Sequence, residues 1–292
     1  MNGTVRRHID DGYWKQVLAR GLAVPEDRPL DELTADLTVM LGSPDPQLRD
    51  GLAHPTLSTW VDRGIYDDLL AGLGDGMAAG LRVGLGESGT DTVFRRSFSA
   101  LVLAECIRRD TERPLVSFTQ VMDWGDRIAT WFLRERDLRG WVPGKGWAHA
   151  VAHGADAIGV LAGSPHLGVP ELTVLLDVLA DRVLSGDGPL LAGEPDHLAA
   201  ATMQVLRRNV LPLSVVEPWV ARVAARASSF GAIGGDSYTG TTDPQSFLRA
   251  LHLQVLLAPN PPAVRSDLLL VLVDALRRTN PLHLALPVDS RR

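Results

Sequence analysis

The feature that most constrains this chain is a turn-and-helix pattern that recurs every 46 to 54 residues. Turns that open a helical segment stand near positions 45, 91, 145, 194 and 243, and another apolar-striped helical segment precedes each of them. Helix pairs repeating at such a period stack to bury a continuous core. The pattern therefore predicts an all-α protein, a right-handed α-solenoid of about six helix pairs forming one domain over residues 1–292. An irregular helical bundle or part of an α/α barrel is the alternative.

Individual helices are predicted from apolar residues at helical spacing and from Gly, Pro and Asp at their ends. One example is the stripe formed by Leu172, Leu175, Leu176, Leu179 and Val183. Leu, Ala and Arg dominate the composition and apolar residues do not alternate, which favours helix over strand. The predicted helices span about 5–20, 30–41, 47–61, 65–80, 91–109, 115–135, 147–162, 171–184, 196–208, 217–228, 243–258 and 263–278.

The turn at residues 42–46 resembles the turn inside a HEAT repeat. A helix ends in Leu41, a Ser-Pro-Asp-Pro turn follows, and the next helix begins at once. In a HEAT repeat the turn Asp caps the second helix, and an Arg four residues on ties neighbouring repeats together. The resemblance implies these roles for Asp45 and Arg49, and it makes the predicted solenoid HEAT-like or armadillo-like.

Net charge and composition limit the partners that the chain is expected to bind. It carries 29 Lys and Arg against 35 Asp and Glu, a net charge of −6, whereas proteins that bind nucleic acid nonspecifically have a basic surplus. We therefore do not expect binding to nucleic acid. No segment is long and apolar enough to span a bilayer, and residues 1–11 lack the apolar core of a signal peptide. We expect a cytoplasmic protein without membrane contacts.

A Gly/Pro-rich loop at residues 139–146 is followed by an Ala-rich helix, which Gly146 and Trp147 are expected to open. On that helix His149 and His153 stand at i and i+4, the spacing that offers two nitrogen ligands to a transition metal. Asp156 lies too far along the axis, about 10 Å from His149, to share their ion. It is expected to hold His153 or a neighbouring helix. The simpler interpretation is that all three are polar contacts between repeats.

A metal site would need a third ligand from another element. Glu135 and Asp137, at the end of the preceding predicted helix, are the nearest carboxylates in sequence. In a solenoid the second helices of successive repeats line one surface. That concave wall would carry Arg96, His149, His197 and His252.

Two tryptophans, Trp141 and Trp147, flank the flexible loop Pro143-Gly144-Lys145-Gly146. Exposed aromatic side chains beside such a loop can form the rim of a recognition site. They can also hold the loop against the core, which is the commoner use of tryptophan.

Several motifs, taken together, resemble a known bacterial family. They are Leu48-Arg49-Asp50, Gly84-Leu85-Gly86-Glu87, Phe94-Arg95-Arg96-Ser97-Phe98-Ser99, Asp137-Leu138-Arg139-Gly140, and Gly146-Trp147-Ala148-His149 with Ala152-His153 and Ala155-Asp156. This set is similar to the family called domain of unknown function 2785. The resemblance covers most of the chain and implies an all-helical bacterial protein, without implying an activity.

Two functions of different classes follow from these observations. The first is a HEAT-like scaffold that binds a protein or peptide partner on its concave face, because no complete catalytic set is recognisable. The alternative is a metal-dependent hydrolase in which His149 and His153 bind a transition metal and Asp137 or Glu135 completes the site. DNA binding in the concave groove is disfavoured by the net charge.

Overall fold

The computed structural model describes residues 10–228, 239–280 and 284. These residues are mostly helical, which confirms the all-α prediction. The helices are α1 (Asp11–Ala19), α2 (Leu30–Met40), α3 (Pro46–Leu48), α4 (His54–Asp62), α5 (Leu70–Gly80), α6 (Thr92–Glu112), α7 (Phe118–Arg134), α8 (Ala150–Gly163), α9 (Val169–Leu184), α10 (Glu194–Arg207), α11 (Leu213–Ala227), α12 (Thr239–Leu257) and α13 (Arg265–Thr279). Two short strands, β1 (Trp141–Val142) and β2 (Gly146–Trp147), precede α8.

Most helix boundaries fall within a few residues of the predicted ones. Residues 5–9 of the first predicted helix lie outside the described residues. The third predicted helix is divided, because a π-helical turn (Arg49–Ala53) joins α3 to α4. Pro55 lacks the N–H that would continue the α-helical ladder, and the chain widens so that the His54 N–H bonds to the Arg49 carbonyl.

Contacts between helices run in two series. The even-numbered helices α4, α6, α8, α10 and α12 each contact the next member of that series, and so do the odd-numbered helices α5, α7, α9, α11 and α13. Each even helix from α6 to α12 also packs on the odd helix that precedes it in the chain. The hydrophobic core lies between the two series.

Small residues let the helices approach one another closely. A Cβ atom on Gly74 would overlap the Trp124 ring, and one on Gly154 would overlap the Phe132 ring. On the other side of α8, a Cβ on Gly159 would lie 3.3 Å from the Cα of Ala201 on α10. The Ala-rich composition of α8 therefore allows it to be packed between α6 and α10.

The segment before α8 differs from the prediction, because the helix does not begin at Gly146. β1 and β2 pair antiparallel, with Trp141 opposite Trp147. Gly144 and Gly146 have φ angles of 74° and 78°, which allow the tight three-residue turn between the strands. The backbone N–H groups of residues 148 and 149 then bond to the carbonyls of residues 140 and 139. The chain stays extended until His149, and α8 starts one residue later.

Candidate functional site

The β hairpin presents two tryptophan side chains at the protein surface. Trp141 is 58% exposed and Trp147 is 41% exposed. Their rings meet edge to face with centroids 5.2 Å apart. Val142, between them in sequence, is buried and attaches the hairpin to the core. The two tryptophans are thus held in a fixed arrangement but remain accessible.

Buried and charged side chains anchor the hairpin. The fully buried Arg49 donates to the Lys145 carbonyl at 2.8 Å, and its guanidinium lies over the Phe94 ring at 4.1 Å. The Lys145 ammonium bonds to both carboxylate oxygens of Asp91, at 2.6 and 2.8 Å. The turn residue Asp45 caps α3 by accepting from the Gln47 N–H at 2.8 Å. Arg49 therefore connects the α3 turn to the hairpin.

His149 occupies the N-cap position of α8 in the left-handed conformation, with φ of 51°. Its ring stacks on Trp147 with centroids 4.5 Å apart. Its Nε2 lies 2.8 Å from the Ala192 carbonyl, which can only accept, so Nε2 carries the proton and Nδ1 keeps a lone pair. Because His149 is the N-cap, it lies just before α8, whereas His153 lies in the first turn of the helix. The two rings are nevertheless only 5.8 Å apart.

His153 points into the protein from the first turn of α8. Its Nδ1 lies 2.6 Å from the Ser97 hydroxyl, and that hydroxyl in turn bonds to the Ala148 carbonyl. Because the single hydroxyl proton goes to the carbonyl, His153 donates through Nδ1. Burial lowers the pKa of His153 to about 3, with smaller contributions from the neighbouring histidines in their protonated form and from Arg49. His153 is therefore a neutral structural side chain at physiological pH.

Asp156 forms a hydrogen bond with His197 and not with His153, the histidine that the sequence suggested. Its carboxylate accepts from His197 Nδ1 on α10 at 2.8 Å. This hydrogen bond, and after it the negative charges of Asp156, Glu194 and Asp196, raise the pKa of His197. The His197 ring lies 5.6 Å from that of His149. We call Trp141, Trp147, His149 and His197 the Trp–His cluster.

The remaining candidate residues form a separate buried network. Arg96 makes a bidentate ion pair with Glu135, at 2.6 and 2.8 Å, and both side chains are almost wholly inaccessible. Asp137, also buried, accepts from Arg139 and from the Gly89 N–H. These contacts connect the loop after α7 to α6 and the Gly-rich segment before it. They do not bring a carboxylate to His149 or His153.

Within the described residues, no group of three or more His, Cys, Asp or Glu side chains has an arrangement that could hold a metal ion. The two predicted third ligands, Glu135 and Asp137, form ion pairs with Arg96 and Arg139. His252 lies on α12 and takes no part in the ring contacts found among the described residues.

A groove of about 410 Å³ is lined by residues of three even-numbered helices, α6, α8 and α10. Many of the residues contributed by α8 and α10 are small, and α6 contributes Arg108 and Thr111. We call it the α8–α10 groove. It is lined by Arg108, Thr111, Asp156, Gly159, Val160, Gly163, Ala200, Ala201 and Gln204.

Sequence reasoning singled out the hairpin and α8, but it missed the groove residues of α10. The available signal was the small residues of α8 itself, Gly159 and Gly163, one turn apart. Ala201, which faces Gly159, stands in the middle of α10 without a motif around it, so only the packing of the two helices reveals it.

Comparison with known proteins gives a family but no activity. The family model described as Protein of unknown function (DUF2785) matches residues 81–253, more than half of the chain. No curated protein matches the chain, and no solved structure does. Among the described residues, no helix is both long and apolar enough to cross a membrane.

Proposed function

The chain belongs to the family of proteins of unknown function DUF2785, and we propose that it is a HEAT-like scaffold that binds a segment of a partner protein. In this proposal residues 1–292 form one right-handed solenoid domain. The two series of helix contacts support it, and so does the α3 turn with its Asp45 cap and buried Arg49. The even series forms the concave face.

The α8–α10 groove carries the proposal. Its small residues leave room for apolar side chains of a bound segment, as the grooves that accept helical or extended peptides do. The groove connects at Asp156 to the Trp–His cluster, since Asp156 bonds to His197. Aromatic groups that are rigid and accessible are enriched where binding energy is concentrated in interfaces. We therefore assign Trp141, Trp147, His149 and Asp156 to the binding surface.

The other candidate residues lie beneath this surface and join the helices that form it. His153 attaches α8 to α6 through Ser97, and the Arg96–Glu135 pair attaches α6 to the loop after α7. Ser97, Arg96 and Glu135 are buried and so lie beyond the reach of a partner. The net charge of −6 favours a protein partner over nucleic acid.

Selection from a displayed peptide library against the full-length protein tests the proposal. The groove is blocked with Gly163→Leu, because a Cβ at Gly163 meets no atom within 4 Å and the leucine would project into open space. Gly76→Leu is the matched control: Gly76 is an exposed residue of α5 with equally free space. Selected peptides should bind Gly163→Leu at least tenfold more weakly than wild type and Gly76→Leu as tightly as wild type. Equal binding to all three proteins would refute the groove as the site.

A further inference from the structure

We infer that the Trp–His cluster binds a cationic side chain, a lysine ammonium or an arginine guanidinium, carried by the bound segment. This inference rests on the proposed function and names the chemistry of its partner. It is argued from three properties of the site: the hydrogen-bond acceptors left on His149 and Asp156, the exposed aromatic faces and the surrounding charge.

His149 and Asp156 of this region retain hydrogen-bond acceptors. His149 donates through Nε2 to the Ala192 carbonyl, which leaves its Nδ1 lone pair. His197 donates through Nδ1 to Asp156. A carboxylate has more acceptor sites than this one bond uses, so Asp156 can accept again. A ligand that complements these groups must supply several N–H donors, as ammonium and guanidinium groups do.

The tryptophans add a second attraction for a cation. Trp141 and Trp147 are both exposed and meet at 79°, so their ring systems form two walls of a corner. One face of Trp147 is covered by His149. The indole ring is the aromatic group that binds cations best over its face. A lysine or arginine chain can also lay its methylene groups along such a surface.

The charge around the cluster is negative. Asp156, Glu194 and Asp196 all act on His197, and Glu194 Oε1 lies 3.8 Å from His149 Nε2. The neighbouring cations already have carboxylate partners, since Lys145 bonds to Asp91 and Arg139 bonds to Asp137. Their charges are therefore compensated, whereas among the described residues no lysine or arginine pairs with Asp156, Glu194 or Asp196. A cationic side chain complements this field, and an acidic one would be repelled.

Nuclear magnetic resonance titration of the full-length protein tests the inference with small probes. The probes are N-acetyl-lysine amide and N-acetyl-arginine amide, with N-acetyl-norleucine amide and N-acetyl-glutamine amide as neutral counterparts. The indole N–H signals of Trp141 and Trp147 report binding. Those of Trp60 and Trp219, which bond to backbone carbonyls, serve as internal references. The cationic probes should shift the two reporter signals saturably, at least tenfold more tightly than the neutral ones, and more weakly as salt is added.

Two variants identify the groups responsible. Asp156→Asn keeps the shape of the side chain and should weaken binding of the cationic probes several-fold. Asp123→Asn, an exposed acid of α7, is the matched control and should change nothing. Neutral probes that bind as well as cationic ones, absence of any shift, or unchanged binding by Asp156→Asn would each overturn the inference.

Failure of this inference is distinguishable from failure of the proposed function. If the selected peptides need an open groove but carry no lysine or arginine, the proposed scaffold function is supported and the proposed cation site is refuted. If cationic probes bind the Trp–His cluster but peptide binding is unchanged by Gly163→Leu, the cation site is supported and the groove is refuted as the peptide-binding site.

Discussion

Replacing Arg96 by methionine should destabilise the protein strongly. The guanidinium is fully buried, makes a bidentate pair with Glu135, and also donates to the carbonyls of Val83 and Gly84. The substitution leaves a buried carboxylate without its counter-charge, and breaking such a pair from one side costs about 3–5 kcal/mol. At an unfolding entropy of about 2.1 cal/mol/K per residue, a chain of 292 residues would melt about 5–8 °C earlier.

Differential scanning calorimetry of wild type and Arg96→Met measures this effect. Arg222→Met is the control, because Arg222 pairs with Asp177 and Asp181 while remaining 44% exposed. Exposed pairs contribute about 0–1 kcal/mol, so the control should melt within about 2 °C of wild type. If Arg96→Met melted as late as the control, Arg96 would not be the buried structural contact described here. A binding role for Arg96 would then have to be reconsidered.

Three further predictions concern α8 and its neighbours. Gly154→Ala should cost about 1–3 kcal/mol, because the added methyl overlaps the Phe132 ring; unchanged stability in urea would contradict the close packing of α7 on α8. The pKa of His153 is about 3 in the native state and about 6.5 in the unfolded chain, so below about pH 6.5 the native state binds fewer protons than the unfolded state. The free energy of unfolding should therefore keep its full value above about pH 6.5 and fall by about 1.4 kcal/mol for each pH unit below it. His153→Gln should remove that part of the slope, and parallel stability curves from pH 6.5 to 4.5 would refute it. Asp156→Asn should lower the pKa of His197, followed by its ring proton signals, and an unchanged value would show that the 2.8 Å hydrogen bond is absent in solution.

The helices could be predicted from sequence because each is bounded by residues with a local effect on the backbone. Gly42 and Pro44 follow α2, Gly193 precedes α10, and apolar stripes such as that of α9 mark the buried faces. The π-helical turn before α4 could have been suspected from Pro55, which stands about two turns inside a predicted helix. The α-solenoid remains a proposal because a repeat period fixes neither the curvature nor the handedness of the stack.

The candidate site could be predicted only in part. The sequence pointed to the hairpin tryptophans and to His149, His153 and Asp156. It gave the wrong start for α8, because a non-glycine residue with a positive φ, such as His149, has no clear local signature. The pairing of Asp156 with His197 joins residues 41 positions apart and depends on how α10 packs on α8. The burial of Glu135 with Arg96 likewise follows from tertiary packing, since both side chains would be plausible ligands on an exposed surface.

The most direct test of the scaffold proposal is to map where a selected peptide attaches. The peptide would carry a photoreactive benzophenone in its centre, and mass spectrometry would identify the cross-linked protein segment. The account predicts attachment within residues 150–163 and 194–207, which form the α8–α10 groove. A second groove, of about 290 Å³, lies between α7 and α9 and is lined by residues that include Met122, Leu167 and Val174. Attachment there, on the odd series of helices, would contradict the proposed binding face.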